Sequence, residues 1–138
     1  MDLRGSYAWD LSDPEVQAQL GALADEGLID VLIGGPPCNT WSRARFRGGA
    51  GPRPLRYRGS LCWGLPWLSP GEERRVKEAN GLLIFFLSLS ESVARQGGAV
   101  GLEHPEDPGC EPLPSIWDTD VVQAWEARIG ASRWLVDQ

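Results

Sequence analysis

Histidine occurs once in this 138-residue chain, at His104, and cysteine only three times, at Cys38, Cys62 and Cys110. No Cys-x-x-Cys pair is present. That leaves no ligand set for a zinc site. An odd, sparse cysteine count also reads as reduced thiols rather than a disulfide framework. No apolar run approaches the ~18 residues of a membrane span. The opening residues, Met1-Asp2-Leu3-Arg4-Gly5, lack the apolar stretch of a secretory signal. The expectation is an intracellular protein, cytoplasmic or nuclear, that is neither secreted nor membrane-bound. Lysine occurs once against twelve arginines, and no acid at all falls between residues 31 and 71.

What is present is ordinary for a folded domain. Apolar residues make up 42% and charged residues 23%, which excludes disorder for most of the chain. The length is that of one domain, 1–138.

The net charge of −6 hides a strong pattern. Residues 1–30 carry seven acids against Arg4, and residues 72–138 carry twelve acids against six bases. Between them, Arg43, Arg45, Arg47, Arg53, Arg56 and Arg58 stand without a single acid. An all-arginine segment inside an acidic protein points to local contact with phosphates. A solvated loop in an arginine-rich composition is the plainer alternative.

Periodicity and punctuation divide the chain. Ser12-Asp13-Pro14-Glu15 reads as a helix start, continued by Val16, Leu20 and Leu23 and stopped near Gly27. Residues 29–33 read as a short β-branched strand of a sheet buried on both faces. Residues 34–71 hold eight glycines and six prolines, too many for regular structure, and a loop of that length is usually functional or disordered. Its aromatics, Trp41, Phe46, Tyr57, Trp63 and Trp67, argue against a mere linker. Ser69-Pro70-Gly71-Glu72 is a capping box, and Val76, Ala79, Leu83, Phe86 and Val93 trace the helix it starts. Residues 99–103 form a second strand, residues 121–129 a third helix and residues 132–136 a last strand. This alternation implies an α/β fold, a parallel sheet with covering helices. Sites on such sheets lie at the carboxyl ends of the strands. If the first two strands are neighbours, Cys38 and Glu103 share one edge.

Gly34-Gly35-Pro36-Pro37-Cys38-Asn39-Thr40-Trp41-Ser42 is the most specific stretch. Glycines allow close backbone approach, and two prolines stiffen the chain ahead of a thiol. Rigid support of an exposed thiol suits a nucleophile, although most free cysteines are only small hydrophobes.

The stretch resembles motif IV of the cytosine-C5 DNA methyltransferases, Gly-Pro-Pro-Cys-Gln-x-(Phe/Trp)-Ser. Gly35, Pro36, Pro37, Cys38, Trp41 and Ser42 match, and Asn39 replaces the usual glutamine. Leu102-Glu103-His104-Pro105 is similar to motif VI, with His104 in place of asparagine. The single long helix between the two motifs also fits. More weakly, Trp9-Asp10-Leu11 resembles motif III, whose acid contacts the adenine of S-adenosylmethionine. The resemblance implies a partial Rossmann-like fold of the S-adenosylmethionine-dependent methyltransferase type, with 34–71 as its catalytic-type loop. It implies catalytic roles for Cys38, as nucleophile on cytosine C6, and Glu103, as partner of ring N3. It places the cofactor against Asp10 and Pro36. DNA is the expected partner, with Trp41 covering an extruded base and Ser42, Arg43, Arg45 and Arg47 at the nucleic acid. Nearby arginines would help populate the thiolate. His104 is a ligand contact or a satisfied structural histidine. Cys62 and Cys110 read as structural.

Departures from the family pattern shape the rest of the reading. Nothing before Asp10 resembles the Phe-x-Gly-x-Gly turn of motif I, and the ribose-binding acid of motif II is absent. The chain therefore reads as the target-base half of a methyltransferase, its cofactor half missing or supplied by a second chain or an upstream segment. A non-catalytic nucleic-acid-binding remnant of such an enzyme is the alternative.

Overall fold

The computed structural model describes residues 10–136. Helix α1 spans Pro14–Asp25. Asp13 caps it, its carboxylate accepting the Glu15 backbone N–H at 2.8 Å, and Pro14 takes the first helical position. Strand β1 follows at Val31–Gly34. Residues 35–69 contain only two single 3-10 turns, Arg43–Phe46 and Gly59–Leu61. Helix α2, Pro70–Arg95, opens on the full reciprocal capping box of Ser69 and Glu72. Strand β2 is Ala99–Leu102, and α3 is Asp120–Ile129, preceded by a 3-10 turn at Ile116–Asp118.

The two strands pair in parallel, Val31 opposite Ala99 and Gly34 opposite Leu102. Helix α2 makes the crossover between them and packs on α1, α3 and both strands. Its apolar stripe builds the core. Leu83, Phe86 and Leu87 meet Trp41, Cys62, Ile116, Val122 and Trp125, while Leu89 and Val93 meet Ala24. Leu32, Val100 and Leu102 reach this core from the sheet. Buried polar groups are satisfied within it: the Trp125 indole donates to Ser90 Oγ at 2.9 Å, and Ser90 donates to the Leu87 carbonyl at 2.8 Å.

The structure corrects two expectations about the sheet. Residues 132–136 form no strand. Arg133 is drawn back to the Glu126 carboxylate of α3 and to the Trp117 carbonyl, so the segment follows the helix side. Trp134 is left 85% exposed. Nor is the sheet buried on both faces. Val31 and Ile33 alternate away from the helices and are 60% and 75% exposed. Among the described residues the sheet has two strands, hence two open edges, and helices on one face only. None of the helices is long and apolar enough to cross a membrane.

The long loop is neither helix nor strand, yet it is folded. Leu55 and Leu65 are buried and joined by a 3.0 Å backbone hydrogen bond. Phe46, Tyr57 and Trp67 stack in series at 6.0 and 6.5 Å. Arg53 pairs with Glu72 at the start of α2, and Arg58 pairs with Asp107 at 2.6 Å and Asp118 at 2.8 Å. The middle of the strap is thus pinned at Arg53 to the start of α2 and at Arg58 to Asp107 and to the 3-10 turn before α3.

Candidate active site at the ends of the two strands

The parallel register brings the two sequence motifs together. Beyond β1 and β2 the chains stay paired, the Glu103 N–H donating to the Gly34 carbonyl at 2.9 Å. Gly35 then lies against the Glu103 side chain: a β-carbon there would sit 2.7 Å from Glu103 Oε2. One residue earlier, a β-carbon on Gly34 would fall 2.5 Å from the Phe86 ring. Two successive glycines thus allow close approach, Gly35 to a movable carboxylate and Gly34 to the packed Phe86 ring of the core.

Pro36 and Pro37 carry the chain from this contact into a turn closed by the Trp41 N–H on the Cys38 carbonyl at 2.9 Å. The tip of the turn, Cys38 and Asn39, is exposed, while its foot, Thr40 and Trp41, is buried. Glu103 is likewise exposed. A thiol and a carboxylate thus stand open to solvent at the carboxyl ends of neighbouring parallel strands.

Beside them runs a cavity of about 390 Å³, within the usual range for small-molecule sites. Asp10 and Pro36, the residues expected at the cofactor, both line it, with Leu20, Leu82, Phe85 and Phe86 as apolar walls. The Ser12 hydroxyl, donating at 2.6 Å, and the Ser12 backbone N–H hold the Asp10 carboxyl below the usual carboxylate range. The cavity therefore presents an ionised acceptor at one end. Among the described residues no basic side chain lines it, and Glu78 is a second acid on its wall. Trp9, the first residue of the motif III resemblance, lies outside the described residues.

The expected nucleic-acid residues divide sharply. Arg43 and Arg47 are exposed and line an open cleft of about 520 Å³ with Phe46, Glu111, Pro112 and Leu113. Arg45 turns inward, donating to the Asn39 carbonyl at 2.7 Å and the Arg53 carbonyl at 3.1 Å. Ser42 caps the 3-10 turn, its Oγ accepting the Ala44 N–H at 3.2 Å. Trp41 is 5% exposed and belongs to the core, so covering an extruded base is not open to it in this conformation. Its indole edge meets Trp63 at 5.9 Å and His104 at 6.3 Å, filling the space beneath the turn. Cys62 is a core residue, its thiol pushed up by burial, whereas Cys110 is exposed.

His104 sits edge-on between Trp41 and Trp117. The residue is half-buried, but its Nε2 is sealed from solvent and has no hydrogen-bond partner. Burial, reinforced by the charge of Arg56, pushes its pKa down to about 4. It is a neutral imidazole at physiological pH.

Arg56 is the residue that sequence reasoning passed over. It was one of six arginines, with no pattern to set it apart. In the structure it is 0% exposed and its guanidinium centre lies 4.1 Å from the Trp41 ring centroid. Burial pushes its pKa down to about 10. No protein-family model, curated protein or solved structure matches this chain.

Proposed function

We propose that this chain is the target-base part of a cytosine-C5 DNA methyltransferase, built on a partial Rossmann-like sheet. The observation that carries the reading is the contact of Gly35 with Glu103, which joins the Pro-Pro-Cys turn to the Glu-His-Pro segment at the ends of adjacent parallel strands. Two motifs 65 residues apart in the chain gain a common physical purpose there.

The residues supply a consistent chemistry. Cys38 Sγ, as thiolate, adds to C6 of cytosine, and the displaced π pair makes C5 nucleophilic. Glu103 shares a proton with ring N3, relieving the charge that builds as sulfur adds. S-adenosylmethionine, when bound, supplies the methyl group as an electrophile. Transfer of the C5 proton to a solvent base, water or hydroxide, then restores the double bond and expels Cys38 as thiolate. In this reading Leu82, Phe85 and Pro36 of the cavity would hold the adenine end of that cofactor, with the Asp10 carboxylate as a hydrogen-bond acceptor. Among the described residues the cavity wall holds acids, Asp10 and Glu78, and no cation for the cofactor's carboxylate. The bare face of Val31 and Ile33 and the open sheet edge supply a place for a second segment or chain to complete the site.

DNA is held through Arg43 and Arg47, the exposed members of the basic loop that have no side-chain partner among the described residues. The acids Asp10 and Glu78 on the cavity wall, unfavourable to the cofactor's carboxylate, favour a second reading, a binding remnant without catalysis. Both are separated by one experiment. DNA carrying a mechanism-based cytosine analogue is expected to become covalently linked to Cys38, as read by mass spectrometry, and Cys38→Ser abolishes the link. DNA binding that survives Cys38→Ser with no adduct in the wild type, even with a cofactor half supplied, leaves the remnant. Calorimetric titration with S-adenosylmethionine tests the cavity, with weaker binding expected in Asp10→Ala.

A further inference from the structure

We propose that Arg56 is a positioning residue that holds the 38–41 turn, and with it the Cys38 thiol, against helix α2. Its guanidinium makes five hydrogen bonds. Nε and Nη2 both donate to Thr40 Oγ1, at 3.1 and 2.9 Å. Nη1 donates to the Cys62 carbonyl at 2.8 Å and to Asn80 Oδ1 at 2.7 Å, and Nη2 reaches the Val76 carbonyl at 3.4 Å. Its face lies on Trp41. One side chain therefore grips both buried residues at the foot of the turn and ties them to Val76 and Asn80 of α2. Asn80 extends the tie by donating to the Trp63 carbonyl at 2.9 Å.

None of these five bonds goes to a carboxylate. A cation buried on neutral acceptors alone is costly, and an apolar side chain of similar size would fill the space at less cost. The arrangement makes sense where geometry matters more than stability. The planar fork fixes Thr40 from two donors at once and stacks on an indole, which lysine cannot do. A turn whose tip must present a thiol in one orientation needs such a foot, since small misplacements of a nucleophile cost rate. The link to cytosine chemistry rests on the function proposed above; the grip on the turn does not.

The test uses Arg56→Met, Arg56→Lys and Thr40→Val. Thr40→Val removes the acceptor of two bonds while keeping shape and charge, so it answers if Arg56→Met fails to fold. Two readouts are taken. The first is exchange of the Trp41 backbone amide, which closes the turn, with Leu83 and Phe86 as references for global stability. The second is the maximal rate of Cys38 adduct formation on analogue-bearing DNA, separated from the DNA concentration at half saturation. In each folded variant, Trp41 exchange is expected to rise by about tenfold with the reference amides unchanged. The adduct rate is expected to fall by about tenfold at unchanged half saturation. Restoration by lysine would mean that charge alone suffices and would overturn the proposal. So would a folded variant in which either Trp41 exchange or the adduct rate stays within about twofold of wild type. If wild type forms no adduct, the proposed activity fails, and alkylation of Cys38 by iodoacetamide in a Cys110→Ser background replaces the second readout. A change of about fivefold then supports the positioning role, and equal rates overturn it.

Discussion

Gly34 and Gly35 are adjacent and identical, yet they answer to different neighbours. A β-carbon at Gly34 meets the Phe86 ring, whose position the core dictates. Gly34→Ala is expected to cost about 1–3 kcal/mol, as overpacking does, measured by urea unfolding. A β-carbon at Gly35 clashes with just the end of an exposed, flexible Glu103 side chain, the Glu103 carbonyl lying at an ordinary 3.5 Å. Gly35→Ala is expected to leave the unfolding midpoint nearly unchanged while displacing Glu103, so that the Cys38 adduct rate falls. Equal stability loss in both variants would refute this division. His104 sets a pH dependence of its own. Its folded pKa of about 4 lies below the unfolded value near 6.5. Between those values the unfolded chain binds a proton that the folded chain does not, so stability falls as pH falls through that window and is level above it. The expected loss is about 1–2 kcal/mol, the full shift being discounted for the part of the ring open to water. Unfolding at stepped pH checks it, and His104→Gln should flatten the window.

At the scale of elements, α2 is the beam to which everything else is fixed. Its first turn does two jobs. Glu72 accepts the Ser69 N–H at 2.9 Å and takes Arg53 of the strap at 2.8 Å. Ser69→Ala removes one side of the capping box and is expected to cost about 1 kcal/mol in thermal unfolding. The Arg53 guanidinium, with the Ser69 N–H, holds the Glu72 carboxyl below the usual carboxylate range. The strap itself behaves as an element. Its order comes from arginines spent on carbonyls, carboxylates and aromatic faces rather than from backbone ladders. That is why composition marked the segment as unusual but left its shape open.

At the scale of the whole molecule, charge patterning overstated the basic surface. Of the six arginines between residues 43 and 58, Arg53 and Arg58 are paired with acids, Arg45 is bound to carbonyls and Arg56 is buried. Two remain, Arg43 and Arg47. If they carry the DNA contact, log affinity should fall with log salt at a slope of about −2, and the doubly substituted Arg43→Ala, Arg47→Ala protein should lose it. A slope near −5, as six phosphate contacts imply, would count against this assignment.

The sequence by itself determined the local features, because their causes are local. The Ser69 capping box, the Asp13 cap, the apolar stripe of α2 and the stiff Pro-Pro ahead of Cys38 all arise from residues a few positions apart. It also placed two strands, which as neighbours would put Cys38 and Glu103 on one edge; the close approach of Gly35 to Glu103 came from the structure. Tertiary structure alone decided the rest. It withheld a strand from residues 132–136, where Arg133 pairs with Glu126 instead. It took Trp41 into the core and sorted six arginines that look alike in the chain. A guanidinium's role is set by which acceptors surround it, and those on Arg56, from Thr40 to Asn80, come together only when the strap closes on α2.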